Sequence, residues 1–156
     1  MDGLKSNKVI IPDMAVTFIK KWEGFSAKSY PGLENNGTKT IGYGHVIQEG
    51  EIFNEPMDKD YAEYLLCHDL QPRAKAIEDS VKVYIMPFQF SALLSLVYNI
   101  GEHAFKQSTL LKKLNDKKYH EAAEQFGRWV YVGKVKTQGL VNRREAEKRL
   151  FLWGKM

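Results

Sequence analysis

Glu23, in KKWEGF, and Glu34, which opens ENNGTKTIGYGH, are two acids in one short stretch, and Thr40 lies six positions beyond the second. A pair of carboxyl groups can break a glycosidic bond, one protonated to release the leaving oxygen and one ionised on the opposite side. Glu23 is expected in the last turn of a helix, flanked by Trp22 and Phe25. Helix-end carbonyls carry partial negative charge and apolar neighbours withdraw hydration, so both disfavour its ionised form. A carboxyl whose pKa is raised in this way suits a general acid near neutral pH. Glu34 stands in a predicted hairpin, and Thr40 can offer its hydroxyl to a water. Gly42 and Gly44 around Tyr43 permit close backbone approach. The same residues also describe a structural turn beside a solvent-facing glutamate, and the pattern alone leaves both readings open.

Positioning these groups falls to one helix, a β-rich stretch and a helical remainder. Asp13 after Pro12 can cap a first helix running to about Glu23, with Met14, Phe18, Trp22 and Phe25 at near-helical spacing and Gly24 as the stop. From Ser26 to about Phe53 the helical period gives way to glycine, asparagine, tyrosine and threonine, which predicts short strands and turns. Asn36-Gly37 signals a tight hairpin, because such a turn needs positive φ at both central residues. Asp58 can cap DKDYAEYLLCHDL, with Leu65, Leu66 and Leu70 on a buried stripe, and Pro72 is expected to bend or break that helix. Pro87 opens PFQFSALLSLVYNIG, apolar almost all round and so expected as the central core helix, and Gly101 ends it. Shorter helices are predicted near 108–115 and 118–128, and a last one from about Gly139 to Trp153. The class is α+β and mostly helical, with one domain over 1–156. A first helix and β lobe occupy about 13–57, a connecting helix about 58–79, and a helical lobe about 80–156.

With 156 residues, 44% hydrophobic and 12% aromatic, the chain can bury a sizeable core. The single cysteine, Cys67, excludes an internal disulfide framework and a zinc-ligand cluster, and suits a reducing cytoplasm. MDGLKSNKVIIPD has only the short apolar run Val9 to Ile11 and does not read as an export signal. No run approaches the roughly 18 apolar residues of a membrane span. The net charge of +4 favours an anionic partner, whether nucleic acid, an acidic membrane face or a carboxylate-bearing wall polymer, or else serves solubility.

WEGFSAKSY followed by TKTIGYGH resembles the catalytic segment of the phage-type lysozymes, the endolysins of glycoside hydrolase family 24. PFQFSALLSLVYNIG, FKQSTLLKKLN, FGRWVYVGK and GLVNRREAEKRLFL resemble further family segments in the same order, so the likeness covers roughly residues 14–153. The family signature is a glutamate, eight residues, an aspartate or cysteine, five residues and a threonine. Glu23 matches the glutamate and Thr40 the threonine. Counting forward from Glu23 lands on Gly32, and counting back from Thr40 lands on Glu34. The chain thus carries two extra residues between Tyr30 and Glu34, with glutamate in place of aspartate. Glutamate reaches about 1.5 Å further, and a 1 Å misplacement can cost about a hundredfold in rate. The insertion either retracts the backbone to compensate, or leaves Asn35 or Asn36 to position the water.

The resemblance implies a lysozyme-like fold, with a small β-hairpin lobe and a larger helical lobe joined by a long helix. It implies a muramidase that cleaves the β-1,4 bond between N-acetylmuramic acid and N-acetylglucosamine with inversion, with Glu23, Glu34 and Thr40 catalytic. Tyr43, His45, Asn99 and Arg143 are candidate substrate contacts, although His45 also fits a hydrogen-bonded structural role. Glu49 and Glu51 read as solvated loop acids, and His68, His103 and His120 show no metal-like spacing. Arg143, Arg144, Lys148 and Arg149 read either as contacts to peptide-stem carboxylates or as a solvated basic face. The apolar end LFLW of the same helix packs on the core or, alternatively, disturbs an anionic membrane. No metal or cofactor is expected. The expected partner is bacterial peptidoglycan, met by a monomer with no nucleic-acid partner and no stable membrane anchor, made in the cytoplasm and released through a holin-type pore. A lytic transglycosylase, which needs one acid only, and a non-catalytic wall-binding protein are the alternatives.

Overall fold

A computed structural model describes residues 8–32 and 36–156. The chain divides into two compact units, one of Met1–Ala15 with Gln71–Met156 and one of Val16–Leu70. Helix α1 (Asp13–Glu23) and helix α2 (Lys59–Ser80) each contribute residues to both units.

In the unit of residues 16–70, α1 buries Val16, Phe18 and Ile19 on one face. Asp13 is the first helical residue rather than the cap before it, so its carboxylate complements the positive helix end from within the first turn. Gly24, at φ +71, ends the helix, and its N–H donates to the Lys20 carbonyl at 3.0 Å. Three strands follow, β1 (Ser26–Pro31), β2 (Lys39–Gly42) and β3 (His45–Val46), in the antiparallel order β1-β2-β3. The β1–β2 connection is longer than the tight turn expected at Asn36-Gly37. Gly32 N–H donates to the Thr38 carbonyl at 2.9 Å to close it, and Gly37 has φ +80. Asn36 Oδ1 accepts from Thr38 N–H at 3.1 Å and from the Thr38 hydroxyl at 2.7 Å. The β2–β3 turn requires its glycine: Gly42 has φ +66, and a Cβ there would meet Ala62 Cβ and Met57 Sδ, each at 3.3 Å. Asp58 caps α2 as expected, its Oδ1 accepting from Asp60 N–H at 2.8 Å. Leu65, Leu66 and Leu70 are buried.

Pro72 does not break α2, which runs on to Ser80. The proline removes the bond to the His68 carbonyl, and both residues are exposed, so water can satisfy that oxygen. The unit of residues 1–15 and 71–156 is organised by α3 (Pro87–Ile100), whose residues from Ser91 to Val97 are all buried. It packs chiefly on α7 (Gln138–Trp153). Around this pair lie α4 (Glu102–Lys106), α5 (Thr109–Asn115) capped by the Ser108 hydroxyl, α6 (Tyr119–Glu124) and a 3-10 turn over Gln125–Arg128. Phe105, Leu110, Leu114, Phe126, Leu150 and Phe151 complete its core. A small hairpin of β4 (Tyr131–Val132) and β5 (Val135–Lys136) precedes α7. Among the described residues no helix is long and apolar enough to cross a membrane.

Candidate active site

Glu23 closes α1, where the sequence places it, and is half-buried. Its negative charge reaches the Tyr30 phenol on β1, whose pKa is raised first by burial and then by Glu23. Tyr30 lies directly across the ladder from Thr40 on β2. Paired positions present their side chains to the same face of a sheet, so Tyr30 links the helix-end acid to the strand that carries Thr40. Thr40 itself is buried and pairs on its other side with Val46. Glu34 lies outside the described residues.

Tyr43 is buried at the turn between β2 and β3, with its ring 5.4 Å from that of Phe25. Lys20 Nζ sits 5.4 Å from the Tyr43 ring centroid and 3.1 Å from Glu63 Oε2. The hydrogen bond that Lys20 donates to Glu63 raises the Lys20 pKa against the opposing effect of burial. This aromatic–lysine–glutamate cluster is joined to α1 through Lys20, three positions before Glu23.

His45 has a structural position. Its Nδ1 lies 2.6 Å from Asp69 Oδ2 and its Nε2 lies 3.0 Å from Glu51 Oε1. Ionised carboxylates only accept hydrogen bonds, so a ring bonded to one at each nitrogen is the imidazolium. The hydrogen bond to Asp69 is the largest cause of a pKa raised above 6.5, with burial opposing it and Glu51 adding to it. Glu51 is therefore a partner rather than a solvated acid. It also accepts from Gln48 N–H at 2.7 Å, and that bond leads the causes that lower its pKa below 4.5. The residues missed by sequence reasoning are Asp69 and Glu51. Asp69 falls three and four positions beyond Leu66 and Leu65, beside the buried stripe, which is the signal that could have found it.

The clamp gives a pH-dependent prediction. The raised histidine contributes stability that is fully present below 6.5 and is lost as pH rises through its folded-state value. The lowered Glu51 contributes stability present above 4.5 and lost as pH falls through its own folded-state value. Replacing His45 by alanine strands a partly buried carboxylate, at a cost of about 3 kcal/mol. Thermal melts are therefore expected to show a Tm lower by roughly 6–12 °C at pH 5.5, with a smaller difference at pH 9. An equal loss at both pH values would assign His45 a packing role only.

Arg143 and Arg144 do not form a solvated basic face. They are 5% and 1% exposed, around a Glu147 carboxylate with no exposure. Arg144 Nε is 2.6 Å and Arg143 Nε 3.5 Å from Glu147 oxygens. The Ser95 hydroxyl donates to Glu147 Oε2 at 2.6 Å, and Arg143 Nη2 donates to the Ser95 carbonyl at 3.2 Å. Asn99 is exposed, and its Oδ1 accepts from Arg144 Nη1 at 2.8 Å. Lys148 pairs with Glu124 at 2.8 Å, and Arg149 is exposed. Of the terminal LFLW, Leu150 and Phe151 are buried and Trp153 is exposed.

The family model described as Phage lysozyme matches residues 20–147. The chain belongs to the phage lysozyme family. It is 37% identical to the endolysin of Bacillus phage B103 over 147 residues, covering 92% of this chain and 54% of that protein. The chain spans about half the length of the Bacillus phage endolysins it matches. Among solved structures, a P22 lysozyme mutant is 35% identical with a TM-score of 0.80, covering 92% of this chain and 99% of its own. The muramidase domain of SpmX from Asticaccaulis excentricus is 31% identical with a TM-score of 0.83, covering 92% and 97%. The fold is accordingly lysozyme-like, an α+β arrangement in which helices predominate.

Proposed function

We propose that the chain is a peptidoglycan hydrolase, a muramidase that cleaves the β-1,4 bond between N-acetylmuramic acid and N-acetylglucosamine with inversion, in bacterial cell-wall and host-cell lysis. The observation that carries this reading is the family match over residues 20–147, with Glu23 at the end of α1 and Thr40 across the ladder from Tyr30. Glu23 is the proton donor to the glycosidic oxygen. Glu34 is the base, holding a water with Thr40 on the opposite face of the sugar. Inverting enzymes hold their two carboxyls about 6.5–9.5 Å apart to admit that water. The steps use carboxylates, a hydroxyl and water. The chain acts as a monomer on the wall after synthesis in the cytoplasm and release through a holin-type pore.

Incubation with purified sacculi is expected to release reducing sugar ends, and no release would overturn the reading. Glu34→Gln is expected to lower that release by about a hundredfold, because an amide cannot serve as a base. Full activity in that variant would move the second role to another residue.

A further inference from the structure

We propose that the face formed by Phe53, Tyr61 and Tyr64 is a second, non-catalytic contact for glycan strands of the cell wall. The rings form a ladder that starts at the buried His45. Phe53 meets the His45 ring edge-on at 5.5 Å, Tyr61 follows at 6.4 Å, and Tyr64 at 6.0 Å from Tyr61. Tyr61 and Tyr64 stand three positions apart on α2 and so share one helix face. They are 49% and 67% exposed, and neighbouring Ile52 is 92% exposed. A hollow of about 390 Å³ beside them is lined by Ile52, Phe53, Asn54, Asp58 and Tyr61, among others. Side chains this exposed contribute little burial to the fold, and a contiguous apolar patch rimmed by polar groups marks a contact surface.

The chemistry of the face selects the occupant. Tyrosine presents an apolar ring and a polar tip, which suits a partner that is apolar on one side and hydrogen-bonding at its edge. A pyranose is such a partner, with C–H groups on its faces and hydroxyl or acetamido groups around its rim. Asn54 and Asp58 place an amide and a carboxylate in the hollow for the rim groups. Charge argues against other polymers. Glu55, Asp58 and Asp60 are exposed around the hollow, and Lys59 Nζ sits over the Phe25 ring at 5.4 Å. With Lys28 and Lys39 acting on Glu55, the rim carries both signs and lacks the excess of basic charge that holds a polyanion or an anionic membrane, so the uncharged sugar rings of a strand are what suits it. Continuity points the same way: the ladder leads outward from His45, on the strand paired with the one that carries Thr40.

This inference rests on the reading of the wall glycan as substrate, and its test separates the two. Sedimentation with purified sacculi is measured in the Glu23→Gln protein, so that binding is read without digestion. Adding Tyr61→Ala with Tyr64→Ala is expected to weaken binding about tenfold, with an unchanged circular dichroism spectrum. A tetramer of N-acetylglucosamine is expected to shift the ring resonances of Tyr61 and Tyr64 in NMR spectra of the same parent. Adding Trp153→Ala, at an exposed aromatic on α7, is expected to leave binding as it was. Equal binding with and without the two tyrosines, or an equal loss on removing Trp153, would overturn the proposal. Wall digestion by the Glu23→Gln protein would overturn the catalytic reading and leave the sugar-induced tyrosine shifts to stand or fall separately.

Discussion

Glu23→Gln is expected to reduce release of reducing ends from peptidoglycan by at least 10²–10⁴-fold, about the range by which a positioned general acid accelerates a reaction. The side chain keeps its size, so helix α1 and its end at Gly24 are expected to persist, with thermal stability close to that of the parent. What disappears is the proton. A glycosidic oxygen leaves as an alkoxide unless something protonates it, and an amide at the end of α1 cannot do so at any pH near neutrality. The Tyr30 phenol gives an internal check on position, because the negative charge of Glu23 helps to hold its pKa up. Removing that charge is expected to lower the Tyr30 pKa, which ultraviolet titration can follow. Loss of turnover together with a lowered Tyr30 pKa places the acid where its chemistry is needed; retained turnover would remove Glu23 from the mechanism.

Glu147→Ala is expected to produce the largest loss of stability. Two guanidinium groups, on Arg143 and Arg144, share this one carboxylate in a place with almost no solvent. Burial pushes the Glu147 carboxyl up while the two arginines pull it down. Removing the acid keeps the desolvation of both cations and deletes the charge between them, at a cost of about 3–5 kcal/mol. For a chain of this size the melting temperature is expected to fall by roughly 6–20 °C. Because Ser95 on α3 bonds both Glu147 and Arg143, the loss is expected to appear as local opening of the α3–α7 packing in hydrogen exchange. A Tm within about 2 °C of the parent, as for a surface substitution, would show that the network contributes little.

The contrast between these predictions follows what the sequence makes legible. Single residues with strong local consequences were readable. Gly24 ends α1, Asp58 caps α2, and Pro87 and Gly101 bound α3, because each acts on its immediate backbone. Signals that depend on distant partners were not. Of the two outcomes read for Pro72, a bend or a break, the break does not occur, because solvent can replace the one bond the proline removes, and α2 continues to Ser80, close to the expected end near residue 79. Asn36-Gly37 reads as a tight turn, but the spacing between Gly32 and Thr38 spreads the connection over a longer loop. The β4–β5 hairpin went unread because its strands are two residues each and exposed, although Gly133 at φ +59 before Lys134 has the form of a two-residue turn. Arg143 and Arg144 look like a basic face until α3 supplies Ser95 and Asn99. Glu147, three and four positions further along α7, is the pairing signal that the basic run concealed.

The most direct measurement is mass analysis of fragments from purified peptidoglycan treated with the parent chain and with Glu23→Gln. The account predicts saccharides that have gained one water and end in reducing N-acetylmuramic acid, from the parent alone. Fragments ending in 1,6-anhydro sugar, or the same reducing fragments from both proteins, would contradict it.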